Sequence, residues 1–541
     1  MLNQSESLKV FSKLNDRTLA LCIAILYFFY LAIFKIEIHT WESYVYADSI
    51  SGLFDLAKQF NGLDPLLKKT LANYSGINFY HPNHPLLHFF SFQISSLLNY
   101  SVLAVVQFFN MLFGSLSLYF LYFLLIQLKV SRSSSVFGTL LFASSNILMY
   151  QASSGEVYIL PMFFLLVATL RLFEYGENQN NLKLWEASLW LGTAASFHLL
   201  AVVYILVMIT YLFQVHQKKD MHSLIFKICV PIGVISLFGF CVYLLPIAVL
   251  LTQFTFSDLW QTIFIYGNIF GVWNSNKVIE LENIVIAFST LSNGFASQES
   301  LFLVFGRYFF TSLGLISLVL SFRGNKEIRL ISHWLLCYSF LIIFVLVIPE
   351  VFDYWLFCFI PLIVLIAFVM DKYSRGKNIF LTFLFLFFLF IGNVLTDIYP
   401  KTIFSLGDFF FADRISLKTS SPQQVIFFSK ELTNEYFMRQ VSIFNQKFKR
   451  IKKIYYIEDI LNSKDIKIFV SALKSKKGVL LYSDLPFDEL MTRLIYHFEV
   501  QVIEKESYTI QERTDVQRNS MRDDYREKPW KMYSYLILNN K

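Results

Sequence analysis

The sequence predicts a polytopic α-helical membrane protein of about 11 transmembrane helices followed by a C-terminal soluble α/β domain, on three observations. First, with 55% hydrophobic and 16% charged residues and a mean hydropathy of +0.51, the chain is far more apolar than a soluble domain, so lipid must solvate much of its surface. Second, the Lys and Arg of the polar connections fall almost entirely on alternate ones: Lys9/Lys13/Arg17, Lys129/Arg132, Arg171/Lys183, Lys218/Lys219/Lys227, Arg323/Lys326/Arg329 and Lys372/Arg375/Lys377. The short connections at Gln151 to Glu156 and Pro349 to Asp353 carry neither. By the positive-inside rule the cationic set is cytoplasmic, with the N-terminus, which puts 35–101, 252–300 and everything after Lys401 on the other face. Third, beyond Pro400 apolar runs of strand length (Val425, Ile454, Val479, Val500 and Tyr533 onward) alternate with helix-like segments, the pattern of a small α/β domain.

In chain order, the first span (19–36) follows a cationic leader but lacks a small-residue cleavage site, so it reads as an uncleaved anchor. Residues 35–101 form a long first external loop. It holds a helical piece near Asp48 to Asn61, a turn-rich middle and an interfacial helix from Pro85, since 81–99 is too short and interrupted to cross. Further spans are read at 102–126, 134–149, 157–173, 185–198, 199–214, 224–250, 303–322, 331–348, 354–370 and 379–398. The run Leu184 to Phe213 has cytoplasmic-type Lys on both sides, Lys183 and Lys218/Lys219. One helix cannot return both ends to one face, whereas two short helices hinged at Ser196-Phe197-His198 can; such broken backbone at depth must line a cavity, which places His198 at its external mouth. The domains are thus 1–400 in the membrane and 401–541 outside it.

The formal net charge of +7 sits at helix ends, where it suits anionic headgroups; a nucleic-acid groove needs a clustered basic face, and no nucleic acid is expected as a partner. No glycine-rich phosphate loop is present, so no nucleotide chemistry is assigned. The five cysteines (Cys22, Cys229, Cys241, Cys337, Cys358) all lie inside apolar runs without a CxxC pair and read as core fillers.

Residues able to carry chemistry collect on the external side. Asp48, among Trp41, Tyr44 and Tyr46 just after the first span, can accept a proton from an acceptor hydroxyl at the depth of a lipid-linked donor, or serve as a helix cap. His81, His84 and His88 have a metal-like spacing, but Pro82 and Pro85 break any single helix through them. Substrate hydrogen bonding from His81, Asn83 or His84 competes with a proline-shaped helix entry. No metal is assigned, and a divalent ion is the one cofactor kept open. Glu156 and Asp353 stand at external helix ends, as caps or as site residues facing water or a partner. Arg307, near the external end of its span, can hold a lipid phosphate bidentately or snorkel to the headgroups.

These features, in this order, resemble the GT-C superfamily of integral-membrane glycosyltransferases, with greatest likeness to the bacterial protein O-mannosyltransferase-like branch. The resemblance rests on Ala47-Asp48-Ser49, His81-Pro82 with Asn110-Met111-Leu112-Phe113-Gly114 downstream, Glu156-Val157-Tyr158-Ile159-Leu160, Leu191-Gly192 to His198-Leu199, and Asp353-Tyr354 to Pro361. It departs in an insertion around Asn61 to Phe79 and in Asp48-Ser49-Ile50-Ser51, where the family carries a second acid. It implies an inverting transfer of a sugar, mannose among the candidates, from a polyprenyl-phosphate donor to a protein, lipid or glycan acceptor outside a bacterial inner membrane. Asp48 is then the general base, Arg307 with Lys277 the phosphate holder, and His81, Asn83, His84, Glu156, His198 and Asp353 the lining of the sugar or acceptor pocket. A lipid or sugar flippase, or a non-catalytic binding protein of the same fold, are the rival readings.

Overall fold

The computed structural model describes residues 15–35, 84–98, 100, 102–216, 221–244, 281–296, 300–346, 349, 352–374 and 379–399, and in the C-terminal part the backbone of five strands. The chain divides into two units, one of residues 1–36, 79–91 and 105–402, the other of residues 37–78, 92–104 and 403–541.

The first unit is helical. It begins with α1 (Asp16–Ile33), where the Asn15 side chain caps the orphan N–H of Thr18 at 2.8 Å. Then come α2 (Pro85–Leu98) and α3 (Val102–Gln127), whose residues 92–98 and 102–104 belong to the second unit, and α4 (Arg132–Ala143), α5 (Asn146–Ser153) and α6 (Ile159–Asn178). The next pair is α7 (Asn181–Phe197) and, after a 3-10 turn at Leu199–Val203, α8 (Tyr204–His216). They are followed by α9 (Met221–Phe238), α10 (Leu281–Asn293), α11 (Leu301–Ser321), α12 (Lys326–Phe340), α13 (Leu356–Ser374) and α14 (Ile379–Asn393). Among the described residues, eight helices are long and apolar enough to cross a membrane.

The bundle is organised around α6 and α13. Of the most apolar window of α6, 89% is buried, against 28% for α1. A helix apolar on every face belongs in the middle when its neighbours are protein, and at the rim when they are lipid. Thus α1 turns Leu19, Ala20, Ala24, Tyr27 and Leu31 inward and leaves Leu26, Phe29 and Ile33 on the outside. At Gly138 a Cβ would lie 2.8 Å from the Ala367 Cβ, so α4 and α13 approach to backbone contact, as small residues allow in bilayer proteins.

Two expectations are corrected by the structure. The single span over 134–149 is two helices, α4 and α5, broken at Ser144-Ser145. Both serine hydroxyls turn back, Ser144 donating to the Leu141 carbonyl at 3.1 Å and Ser145 to that of Phe142 at 2.7 Å, and so take over the end of α4. The cysteines are not uniformly core: Cys358 is buried, whereas Cys22, Cys229 and Cys241 are exposed on outer helix faces. The hinge is where the charge argument puts it. The α7 helix stops at Phe197, and His198 is extended (φ −157°, ψ 124°).

In the second unit β1 (Val425–Phe428), β2 (Tyr455–Tyr456), β3 (Val479–Ser483), β4 (Val500–Ile510) and β5 (Trp530–Asn539) form one mixed sheet in the order β2-β1-β3-β5-β4. The register aligns Val425 with Val479 in parallel, then Val479 with Ile537 and Val500 with Asn539 antiparallel, with a bulge between Val502 and Glu504.

Candidate functional site

The broken helices place four of the expected residues around the start of α6. His198, freed from the helix at the hinge, accepts the Leu200 N–H on its Nδ1 at 3.0 Å. That bond leaves the neutral ring's proton on Nε2. Around the ring stand His84 at 4.6 Å between centroids, Tyr158 at 4.9 Å, Phe357 at 6.1 Å and Tyr354 at 6.3 Å. Tyr158 also meets Tyr354 edge-on at 5.5 Å. Both tyrosines lie close to an acid in the chain: Tyr158 follows Glu156 by two residues, and Tyr354 follows Asp353. The Gln151 side chain donates to Asp353 Oδ1. Glu156 is fully buried, on the irregular strap between α5 and α6. His84, His198 and the tyrosines next in the chain to Glu156 and Asp353 are thereby held in one constellation.

His84 precedes Pro85, and α2 starts at that proline, as the helix-entry reading expects. Burial pulls the His84 imidazole down to about 3, against the opposing pull of a hydrogen bond with the Phe197 backbone. It is therefore neutral at any physiological pH. Because the unfolded ring binds a proton near 6.5 and the folded one does not, the stability this group contributes is whole above 6.5 and is lost as pH falls from 6.5 toward 3. The melting temperature of the detergent-purified protein should fall across that window, and His84→Gln should flatten the slope. An unchanged slope in His84→Gln would show that other groups set it.

Arg307 belongs to a second polar node. It is 6% exposed on the second turn of α11. Its Nη1 donates to Asn293 Oδ1, its Nη2 to the Tyr308 hydroxyl at 2.8 Å, and its Nε has no hydrogen-bond partner. No ion pair to it is formed among the described residues. At this node the α5 backbone N–H groups of Asn146 and Ile147 donate to Phe295 and Gly294 at 3.3 and 3.0 Å, and Asn393 donates to the Ser144 and Phe295 carbonyls at 2.9 and 2.8 Å. The two groupings are the two ends of α5: from Asn146 to Gln151 is about 7.5 Å of helix rise.

Asp48, His81, Asn83 and Lys277 lie outside the described residues. Among the described residues no group of three His, Cys, Asp or Glu side chains is arranged to hold a metal ion. A cavity of about 420 Å³ opens between α1, α4 and α14, lined by Tyr27, Leu140, Ser144, Phe387 and further, mostly apolar, side chains, and none of the candidate residues lines it. The amides that frame the site, Gln107, Asn110, Gln151, Asn293 and Asn393, escape a reading that looks for ionisable groups. Their signal is an amide inside an apolar run, which in lipid must find a partner.

No protein-family model matches the sequence, and no curated protein matches it. Solved structures do. The chain is similar to ArnT from Cupriavidus metallidurans bound to undecaprenyl phosphate, at 9% identity over 96% of this chain and 97% of that one, with a TM-score of 0.58. The oligosaccharyltransferase of Archaeoglobus fulgidus in complex with Zn and sulfate aligns at 12% identity, 85% and 68% coverage and a TM-score of 0.49. The Saccharomyces cerevisiae protein O-mannosyltransferase Pmt1-Pmt2 complex aligns at 15% identity over 46% and 34%, with a TM-score of 0.32. The first of these shows a shared fold. Its near-complete coverage of both chains, with the apolar helices above, makes this an integral membrane protein that shares the fold of that ArnT structure.

Proposed function

We propose that the protein is an inverting glycosyltransferase that moves a sugar from a polyprenyl-phosphate donor to an acceptor hydroxyl or amide on the non-cytoplasmic face, mannose being the first sugar to try. The observation that carries the reading is Arg307. A guanidinium buried in an apolar helix is costly unless paired, and here its partners Asn293 and Tyr308 are neutral and its Nε is spare. An anion completes it, and a phosphate oxygen pair matches the planar fork. The fold supports the same chemistry, since the ArnT structure named above holds undecaprenyl phosphate.

In the reaction the acceptor's oxygen or nitrogen attacks the anomeric carbon from the face opposite the phosphate. Its proton passes to the Asp48 carboxylate, the anomeric C–O bond breaks, and the electron pair leaves on the polyprenyl phosphate. Arg307, aided by Lys277, holds the charge that develops on that phosphate. Glu156, Asp353 and the Nε2–H of His198 offer two acceptors and one donor to sugar hydroxyls, and His84, with His81 and Asn83, is assigned to the same role. The Lys and Arg pattern supports a cytoplasmic N-terminus and an external 401–541 domain, and the resemblance to the bacterial branch suggests a bacterial inner membrane.

The test is purified protein in lipid with a panel of labelled polyprenyl-phosphate sugars, scored for release of polyprenyl phosphate and for labelled acceptor. Turnover with one donor is expected, and Arg307→Met should lower kcat/KM by about 10- to 100-fold, the worth of a lost charged hydrogen bond. Full activity in Arg307→Met removes the phosphate-holding role. Lipid binding without turnover on any donor moves the protein to the flippase or binding class.

A further inference from the structure

The strap between α5 and α6 is irregular backbone inside a bundle, so its carbonyls need donors from side chains. Two come from one face of α3. Gln107, 2% exposed, donates from Nε2 to the Ser153 carbonyl at 2.5 Å. Asn110, three residues on and fully buried, donates from one Nδ2 to both the Ser154 carbonyl at 2.9 Å and the Glu156 carbonyl at 2.5 Å. A single amide bonding both sides of Gly155 fixes the bend of the chain there, and with it the direction in which Glu156 leaves the backbone. The helices are set for this. At Gly114, one turn beyond Asn110, a Cβ would lie 2.7 Å from that of Ala152, so α3 and α5 must touch just where the amides reach across. The far end of the strap is pinned by Tyr158 against His198 and Tyr354.

From this geometry we infer that Asn110, supported by Gln107, is a positioning residue: it sets the Glu156 carboxylate against the donor's sugar. This rests on the proposed transfer reaction. It adds that sugar recognition is governed from α3, by amides that touch no substrate. The Glu156 carboxylate accepts from vicinal sugar hydroxyls, so a displaced strap weakens donor capture more than the chemical step.

The experiment uses the full chain in lipid, with Asn110→Leu, Gln107→Met, Glu156→Gln and the double variant Asn110→Leu/Glu156→Gln. Asn110→Leu should raise the donor KM about tenfold with kcat within about threefold, since one misplaced hydrogen bond is worth about that factor. The double variant should be no worse than Glu156→Gln, because Asn110 acts through that side chain. Additive losses in the double variant, or an equal fall of kcat without a change in KM, overturn the inference. Hydrogen exchange of the peptide spanning 150–160 reads the anchor without reference to turnover: faster exchange is expected in Asn110→Leu, and unchanged exchange overturns it. If Asn110→Leu does not fold, Gln107→Met, which removes the Ser153 bond and leaves the Asn110 pair in place, must show the same split at smaller size or the inference fails. A wild-type protein inactive on every donor sinks the transfer reading and with it this role for Glu156, while the exchange result still decides the anchor.

Discussion

Asp48→Asn should reduce kcat for sugar transfer by about 10²- to 10⁴-fold, the range over which a positioned general base contributes. The donor KM should hardly move. Asn is isosteric with Asp and keeps a carbonyl oxygen that can receive the acceptor's hydrogen bond, but it cannot take the proton as the new bond forms. What survives is the leaving-group stabilisation from Arg307 and the orientation from the sugar-binding residues, neither of which involves the proton. The two substitutions should therefore separate: Asp48→Asn acts on kcat, and Arg307→Met also on donor binding. Loss of the wild type's acid limb in the pH profile of Asp48→Asn would tie the titration to that carboxylate. Steady-state turnover at saturating donor is the measurement, and full turnover in Asp48→Asn means that the base is another residue.

How much of the molecule was legible depends on where the information lies. The hinge at His198 follows from counting: apolar sequence from Leu184 to Phe213 with Lys at both ends demands a break near its middle, and the backbone turns extended there. The break at Ser144-Ser145 has no flanking charges to count. Its compensation comes from Phe295 and Asn393, 149 and 247 positions along the chain from Asn146, so local sequence reads as one helix. The cysteines failed for another reason. When lipid is the outer solvent both faces of a rim helix are apolar, and the hydrophobic period that marks the inward face is gone; nothing distinguishes Cys22, exposed, from Cys358, buried. In the site, ionisable residues at helix ends stood out as Glu156, Arg307 and Asp353 do. The amides that aim them, Asn110 and Asn393, sit mid-run and announce themselves only through their bonds.

Asn393→Leu should lower the melting temperature of the purified protein by several degrees, with a cost of about 2–4 kcal/mol. Leu matches the shape of Asn and removes only its polarity. The fully buried Asn393 amide donates to the Ser144 carbonyl, where α4 ends, and to the Phe295 carbonyl, where the chain leaves α10. Phe295 keeps the Asn146 N–H at 3.3 Å, but Ser144 loses its donor. In a soluble protein a water could step in; within a bilayer-embedded bundle the carbonyl stays bare, and the price is the full desolvation of the group. The damage should also be local in a telling way. Because the freed corner is the N-terminus of α5, whose Asn146 side chain reaches the Asn293 carbonyl at 3.5 Å and so adjoins the Arg307 contact, exchange should quicken at 144–147 and Arg307-dependent donor binding should weaken. Asn393→Asp should be worse than Asn393→Leu, since it turns a carboxylate toward two carbonyl oxygens. A melting temperature equal to wild type in Asn393→Leu would mean that the α5 N–H bonds to Phe295 and Gly294 hold the corner alone. The broken-helix junction would then be stabilised by backbone pairing without help from the side chain.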